Sequence, residues 1–173
     1  MASRSRKVHH RNIPLLLMRA RERMISYFRP VLNAHGITEQ QWRIVRLLLE
    51  APALEPRQIG ELCAISSPSM AGVLERMEQA GYITRRRVEH DQRRVLVSLT
   101  AKSRGLAAAM APEIDATYRR IEKSLGRDLS VRLYETLDFV LEKLPGESED
   151  PERARITGQG NGPKPVGNMG EAR

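Results

Sequence analysis

Residues 66–100 read SSPSMAGVLERMEQAGYITRRRVEHDQRRVLVSLT, and the fold is decided here because the hydrophobic period changes inside the stretch. Ser66-Ser67-Pro68-Ser69 is a helix start. A serine hydroxyl can cap exposed amides, and proline fits the first turn, where its missing donor costs nothing. Met70, Val73, Leu74 and Met77 follow at steps of three and four, which gives a helix to about Gln79, ended by Ala80-Gly81. Beyond Gly81 the period is two. Residues 82–88 and 94–99 therefore read as strands joined by residues 89–93, a small hairpin that carries Arg85, Arg86, Arg87, Arg93 and Arg94. Asp91, two residues before Arg93, is spaced to pair with it and hold it at the tip.

Upstream, Pro56 starts a short helix over residues 57–64 in which Ile59 and Leu62 are expected to face inward. Gly60 costs about 1 kcal/mol there relative to alanine, so a close crossing must require it. Before it, Thr38-Glu39-Gln40-Gln41 fits a capping box, giving a helix to about Glu50 with Trp42, Val45, Leu48 and Leu49 on one face. An earlier helix runs from about Pro14 to Asn33 behind an Asn12 cap, and Gly36 suits its left-handed stop. Downstream, Thr100 caps a long helix over residues 101–124, and residues 128–144 give another. In the last one Leu133, Leu137, Val140, Leu141 and Leu144 form an apolar stripe wider than one helix needs. The simplest way to cover it packs the first and the last two helices across two subunits as a dimer.

The whole is a mainly α chain with a small β-hairpin wing: a winged helix-turn-helix, residues 36–100, on a helical dimerisation region, residues 12–35 and 101–144. Residues 1–11 form a basic arm without apolar periodicity, and residues 145–173, with six of the twelve Gly and four of the ten Pro, read as a disordered tail. The length of 173 residues fits one domain, and aromatics at 4% leave the core to aliphatic side chains, which favours helices. The 29 Lys and Arg against 21 Asp and Glu, net +8, favour a polyanionic partner.

In a winged helix-turn-helix the second helix enters the major groove by its N-terminal end, and the wing reaches the minor groove. That assigns Ser66, Ser67, Pro68 and Ser69 to the major groove, with free amides at the helix start facing a phosphate, and Arg76 to the backbone. Arg85, Arg86, Arg87, Arg93 and Arg94, with Asp91, are assigned to the wing contacts. The competing reading of the same residues is a helix cap and a solvated, aggregation-resistant edge. Five arginines on one hairpin in a chain of +8 favour double-stranded DNA.

Other functions fare worse. No HExxH, GxGxxG or GxxxxGK[ST] occurs, and no nucleophile has a base nearby by motif, so neither an enzyme nor a metal or other cofactor is expected. The apolar run at residues 13–18 is too short to span a bilayer or to act as a signal, so a cytoplasmic protein, nucleoid-associated when bound to DNA and without a membrane partner, is expected. Two alternatives remain: redox sensing through the lone Cys63, whose place near the end of an apolar helix favours a small buried hydrophobe, and a dimeric scaffold whose arginines meet an acidic partner.

Asp91-Gln92-Arg93-Arg94-Val95-Leu96-Val97-Ser98-Leu99-Thr100 resembles the wing signature of the MarR family of transcriptional regulators, and the resemblance covers roughly residues 12–144. The stretches at residues 35–43 (HGITEQQWR) and 12–22 (NIPLLLMRARE) are similar to the branch controlling aromatic-acid catabolism, notably homoprotocatechuate and nicotinate degradation regulators. Ser103 departs from the pattern, since the family usually has Gly after the Thr. The resemblance implies a homodimeric repressor of a palindromic operator, released by a small aromatic or phenolic acid bound where the winged and helical regions meet. On this sequence it places the effector pocket among the first, second and fifth helices. Arg19 and Arg23 would grip the carboxylate, His35 give a polar contact and Trp42 a flat wall.

Overall fold

A computed structural model describes residues 11–144, so the expectations for most of the basic arm and for the tail lie outside the described residues. The chain divides at Gly126 into two compact units. The first holds α1 (Ile13–Ala34), α2 (Glu39–Glu50), α3 (Pro56–Leu62), α4 (Ser67–Gln79), β1 (Ile83–Val88), β2 (Asp91–Leu99) and α5 (Ala101–Leu125). The second holds α6 (Arg127–Lys143).

Local chemistry sets the boundaries. The Asn12 side chain accepts the Leu15 amide at 3.0 Å, and Thr38 and Gln41 cap α2 reciprocally, as their spacing predicts. Gly36 and Gly81 take positive φ, at +64° and +72°, and stop α1 and α4. The α3–α4 turn is made differently. Cys63 closes α3, and Ala64 takes a φ of +48°, a left-handed conformation costly for a residue with a Cβ. The helix therefore stops at Leu62, two residues before the expected end.

The core of the first unit is built around α2, with Ile44, Val45 and Leu48 fully buried against Ile59, Val73, Leu74 and Met77 from α3 and α4. Hairpin residues Ile83, Val97 and Leu99 join the same cluster, as do Met110 and Ile114 of α5. Two expected inward positions face outward. Leu62 is 57% exposed because α3 buries the i, i+4 pair Ile59 and Cys63, and Leu49 is 41% exposed because Ile44 takes the inward place beside Val45. Gly60 lies where a Cβ would meet the Ile65 carbonyl oxygen at 3.2 Å, so the close approach it permits is to the α3–α4 turn. Phe28 of α1 and Tyr118 of α5 meet edge to face, ring centres 4.9 Å apart.

The hairpin also differs from the alternation-based reading. Only Glu89-His90 turns the chain, because Val88 pairs with Asp91 and the strand resumes with Arg87 opposite Val95. Gln92, Arg93 and Arg94 are thus a bulge within β2, which pattern counting assigned partly to a loop.

Leu48→Ala in this dry core should cost about 2–5 kcal/mol, against about 1 kcal/mol or less for Leu49→Ala on the exposed side of the same helix. Urea unfolding of the two variants measures the contrast.

Candidate nucleic-acid interface

Helix α4 begins at an exposed edge: Ser66, Ser67, Pro68 and Ser69 are all solvent-accessible, while Met70 one position on is buried. Ser66 is the N-cap by backbone geometry, but its hydroxyl does not cap an amide as expected; it donates to the Ser69 hydroxyl at 3.1 Å. The amides of Ser69 and Met70 bond the Ser66 carbonyl at 3.0 and 2.9 Å, and Pro68 has none. The amides of Ser66 and Ser67 are then without a partner among the described residues, the free donors that the sequence leads one to expect at this helix start. The helix end therefore presents both hydroxyl groups and free amides, which suits hydrogen bonding to base edges and phosphates. Arg76 is exposed near the other end of α4 and folds back over Gly72, where a Cβ would meet its Nη1 at 3.3 Å.

The turn beneath α4 is held from behind. An Arg43 Nη1 hydrogen of α2 is donated to the Cys63 carbonyl, and the Ile65 amide bonds the Gly60 carbonyl at 2.9 Å. Nothing in the sequence pattern marks Arg43, whose partner lies twenty residues away, beyond helical periodicity. Where β1 leaves α4, the first turn of α5 supplies the ties. Thr100 donates to the Gly81 carbonyl at 2.7 Å, Lys102 to the Ala80 carbonyl at 2.7 Å, and the buried Ser103 hydroxyl to the Tyr82 carbonyl. Ser103, the departure from the family pattern, thus has a structural use.

The wing arginines sort into two groups. Arg94 pairs with Glu55 at 2.5 Å and Arg85 approaches Glu78 at 3.1 Å, so neither is the free cation that the sequence alone implied. Arg86, Arg87 and Arg93 are exposed and have no ion-pair partner among the described residues. Asp91 accepts the backbone amide of Arg93 at 3.1 Å rather than its guanidinium, a local bond that shapes the bulge and leaves the side chain loose. Glu55 and Glu78 were missed because each acts across the fold on a residue its own helix pattern does not predict.

The four expected effector residues are not brought together within one chain. Arg21 pairs with Glu39 and marks the side of α1 that faces α2. Arg19 and Arg23, two residues to either side, are rotated about 200° from it and share an open groove with Met18 and Glu22. His35 lies twelve residues beyond Arg23, about 18 Å along the helix, and its Nε2 meets Glu113 of α5 at 2.8 Å. Trp42 is 8% exposed and belongs to the core. Among the described residues no three His, Cys, Asp or Glu side chains gather as metal ligands.

These elements are shared with known proteins. The MarR family signature matches residues 35–94. The homoprotocatechuate degradative operon repressor of Escherichia coli is 35% identical over 147 residues, spanning 81% of this chain and 99% of the relative. The chain belongs to the MarR family. Among solved structures it is similar to NadR in complex with 4-hydroxyphenylacetate, at 38% identity and a TM-score of 0.69, covering 79% of this chain and 96% of the other. It is also similar to the repressor CouR bound to a 23-mer DNA duplex, at 25% identity and a TM-score of 0.67, covering 74% and 91%.

Cys63 is 5% exposed, and burial pushes its thiol from 9.0 up to about 11, against the pull of the Arg43 guanidinium. A protonated, enclosed thiol is a poor redox sensor. Because the native pKa exceeds the unfolded one, the native chain keeps this proton between about pH 9 and 11 while the unfolded chain loses it. The contribution is intact below pH 9 and is lost as pH rises through that window. The stability of the wild-type protein relative to Cys63→Ala should therefore decline from pH 9 towards pH 11, measured by urea midpoints, and thiol alkylation at pH 7 should require unfolding.

Proposed function

We propose that this chain is a dimeric DNA-binding repressor that sits on a palindromic operator and is released by a small aromatic carboxylate. One observation carries the DNA reading: Arg86, Arg87 and Arg93 stand exposed and, among the described residues, without acidic partners on the same folded unit as the serine-started α4. Three unpaired guanidinium groups on a hairpin repel one another, and a phosphate backbone with a narrow minor groove relieves that repulsion. In this reading the Ser66, Ser67 and Ser69 hydroxyls meet the major groove and Pro68 sets the helix start there. Arg76 reaches the backbone and Asp91 shapes the tip.

Dimerisation is supported by family membership and by the apolar side chains left exposed on two helices. Ile13, Leu16, Leu17 and Met18 on α1, and Leu129, Tyr134, Phe139 and Leu141 on α6, lie open in the single chain. We assign residues 12–35 and 101–144 to that role and residues 36–100 to DNA. The separation of the arginine pair from His35 along α1 then has a simple resolution. The effector lies between subunits, its carboxylate held by Arg19 and Arg23 of one chain and its ring set near Trp42 and His35 of the other. A ligand bridging two chains fixes their spacing, and release follows when it prefers a spacing that mismatches successive major grooves.

The test uses a duplex selected by the wild-type protein from a random pool, titrated with and without 4-hydroxyphenylacetate, the acid in the NadR complex. The acid should weaken binding at least tenfold. Arg19→Ala should abolish that response while operator affinity without ligand stays within about threefold. An unchanged response in Arg19→Ala removes Arg19 from the site, and uniform weak binding to all duplexes removes the repressor reading.

A further inference from the structure

Two carboxylates stand among the wing cations, where phosphate binding alone would exclude them. Glu55 accepts Arg94 through Nε at 2.6 Å and Nη2 at 2.5 Å, both on Oε1. Glu55 is itself fixed. Its amide donates to the Gln58 side chain at 2.9 Å, its carbonyl accepts the Ile59 amide at 3.0 Å, and it is the N-cap of α3. One residue before it, Leu54 exchanges two backbone hydrogen bonds with Val97 of β2, at 3.2 and 2.8 Å. Arg94 ends the bulge, the part of β2 without ladder partners on β1. The ion pair therefore takes hold where strand pairing has let go.

We propose that Glu55 is a positioning residue of the DNA interface. By holding Arg94 it fixes the angle of the wing against the helix-turn-helix, and Arg94 serves as an anchor, not as a phosphate contact. The inference rests on the DNA-binding reading above and refines it. Two guanidinium nitrogens sharing one carboxylate oxygen on a backbone already fixed cost little further ordering, which is what an anchor needs. A phosphate drawn to Arg94 would meet the Glu55 charge as well, so the pair is poorly suited to direct contact. Arg85 lies within ion-pair range of Glu78 at 3.1 Å but without a hydrogen bond on its Nε, a looser tie of β1 to the end of α4, which leaves Arg86, Arg87 and Arg93 as the groove-facing cations.

A double-mutant cycle in the full chain tests this, using the duplex recovered by the wild-type protein and a salt titration of each variant. Glu55→Gln and Arg94→Gln should each weaken binding about tenfold, and the double variant should be no weaker than either one. All four proteins should keep the same slope of log affinity against log salt. The exchange Glu55→Arg with Arg94→Glu should recover most of the lost affinity, and this arm also covers single variants that fold poorly. If Arg94 instead touches a phosphate, Arg94→Gln lowers the slope by about 0.9, Glu55→Gln tightens binding, and the exchange abolishes it. Any of those results overturns the proposal. Failure of the wild-type protein to select any duplex would instead refute the DNA reading itself.

Discussion

A two-stranded hairpin is marginal on its own in water, and this one is further burdened by like charges, so everything depends on docking it. The docking is apolar at its base and ionic at its flanks. Ile83, Val97 and Leu99 enter the α2-centred core, while Leu54 adds a short bridge to the outer side of β2. The first turn of α5 holds the α4–β1 connection through three carbonyl groups. Once the base is fixed, exposed arginines can be carried at the far end without unfolding it.

The same anchoring explains how one short helix keeps its orientation. Arg43 grips the turn before α4 from the side of α2, and Gly60 lets that turn approach α3. α2 packs against α5 and the hairpin, so a shift of the long helices can be passed to α4 through packed side chains rather than a flexible link. In the proposed mechanism the effector acts on the long helices, and the α2 core transmits the result.

The parts of this molecule that were legible in the sequence are those set by neighbours within one or two turns. The Thr38–Gln41 box, the Asn12 cap, the stripe from Met70 to Met77 and the glycine stops at Gly36 and Gly81 all formed as their spacing predicts. What the sequence hid is long-range or depends on register. Nothing in a one-dimensional pattern shows that Arg94 meets Glu55 thirty-nine residues earlier, or that three residues of β2 bulge out of the ladder. Leu62 and Leu49 have helical spacing to the core, yet a neighbour on the same helix took each inward place. Shared chemistry groups the effector residues in the sequence, but helix geometry sets Arg19 and Arg23 apart from His35.

The central claim is that α4 and the wing act as one rigid reader, used twice. Footprinting of a selected duplex with dimethyl sulfate, which methylates guanine N7 in the major groove, together with hydroxyl radicals, which cleave sugars from the minor groove, measures it directly. The account predicts two equivalent patches about one helical turn apart, each a protected major-groove segment flanked by a protected minor groove, and loss of only the flanking protection in Arg93→Ala. A single patch, or major-groove protection that disappears together with the flank, would contradict it.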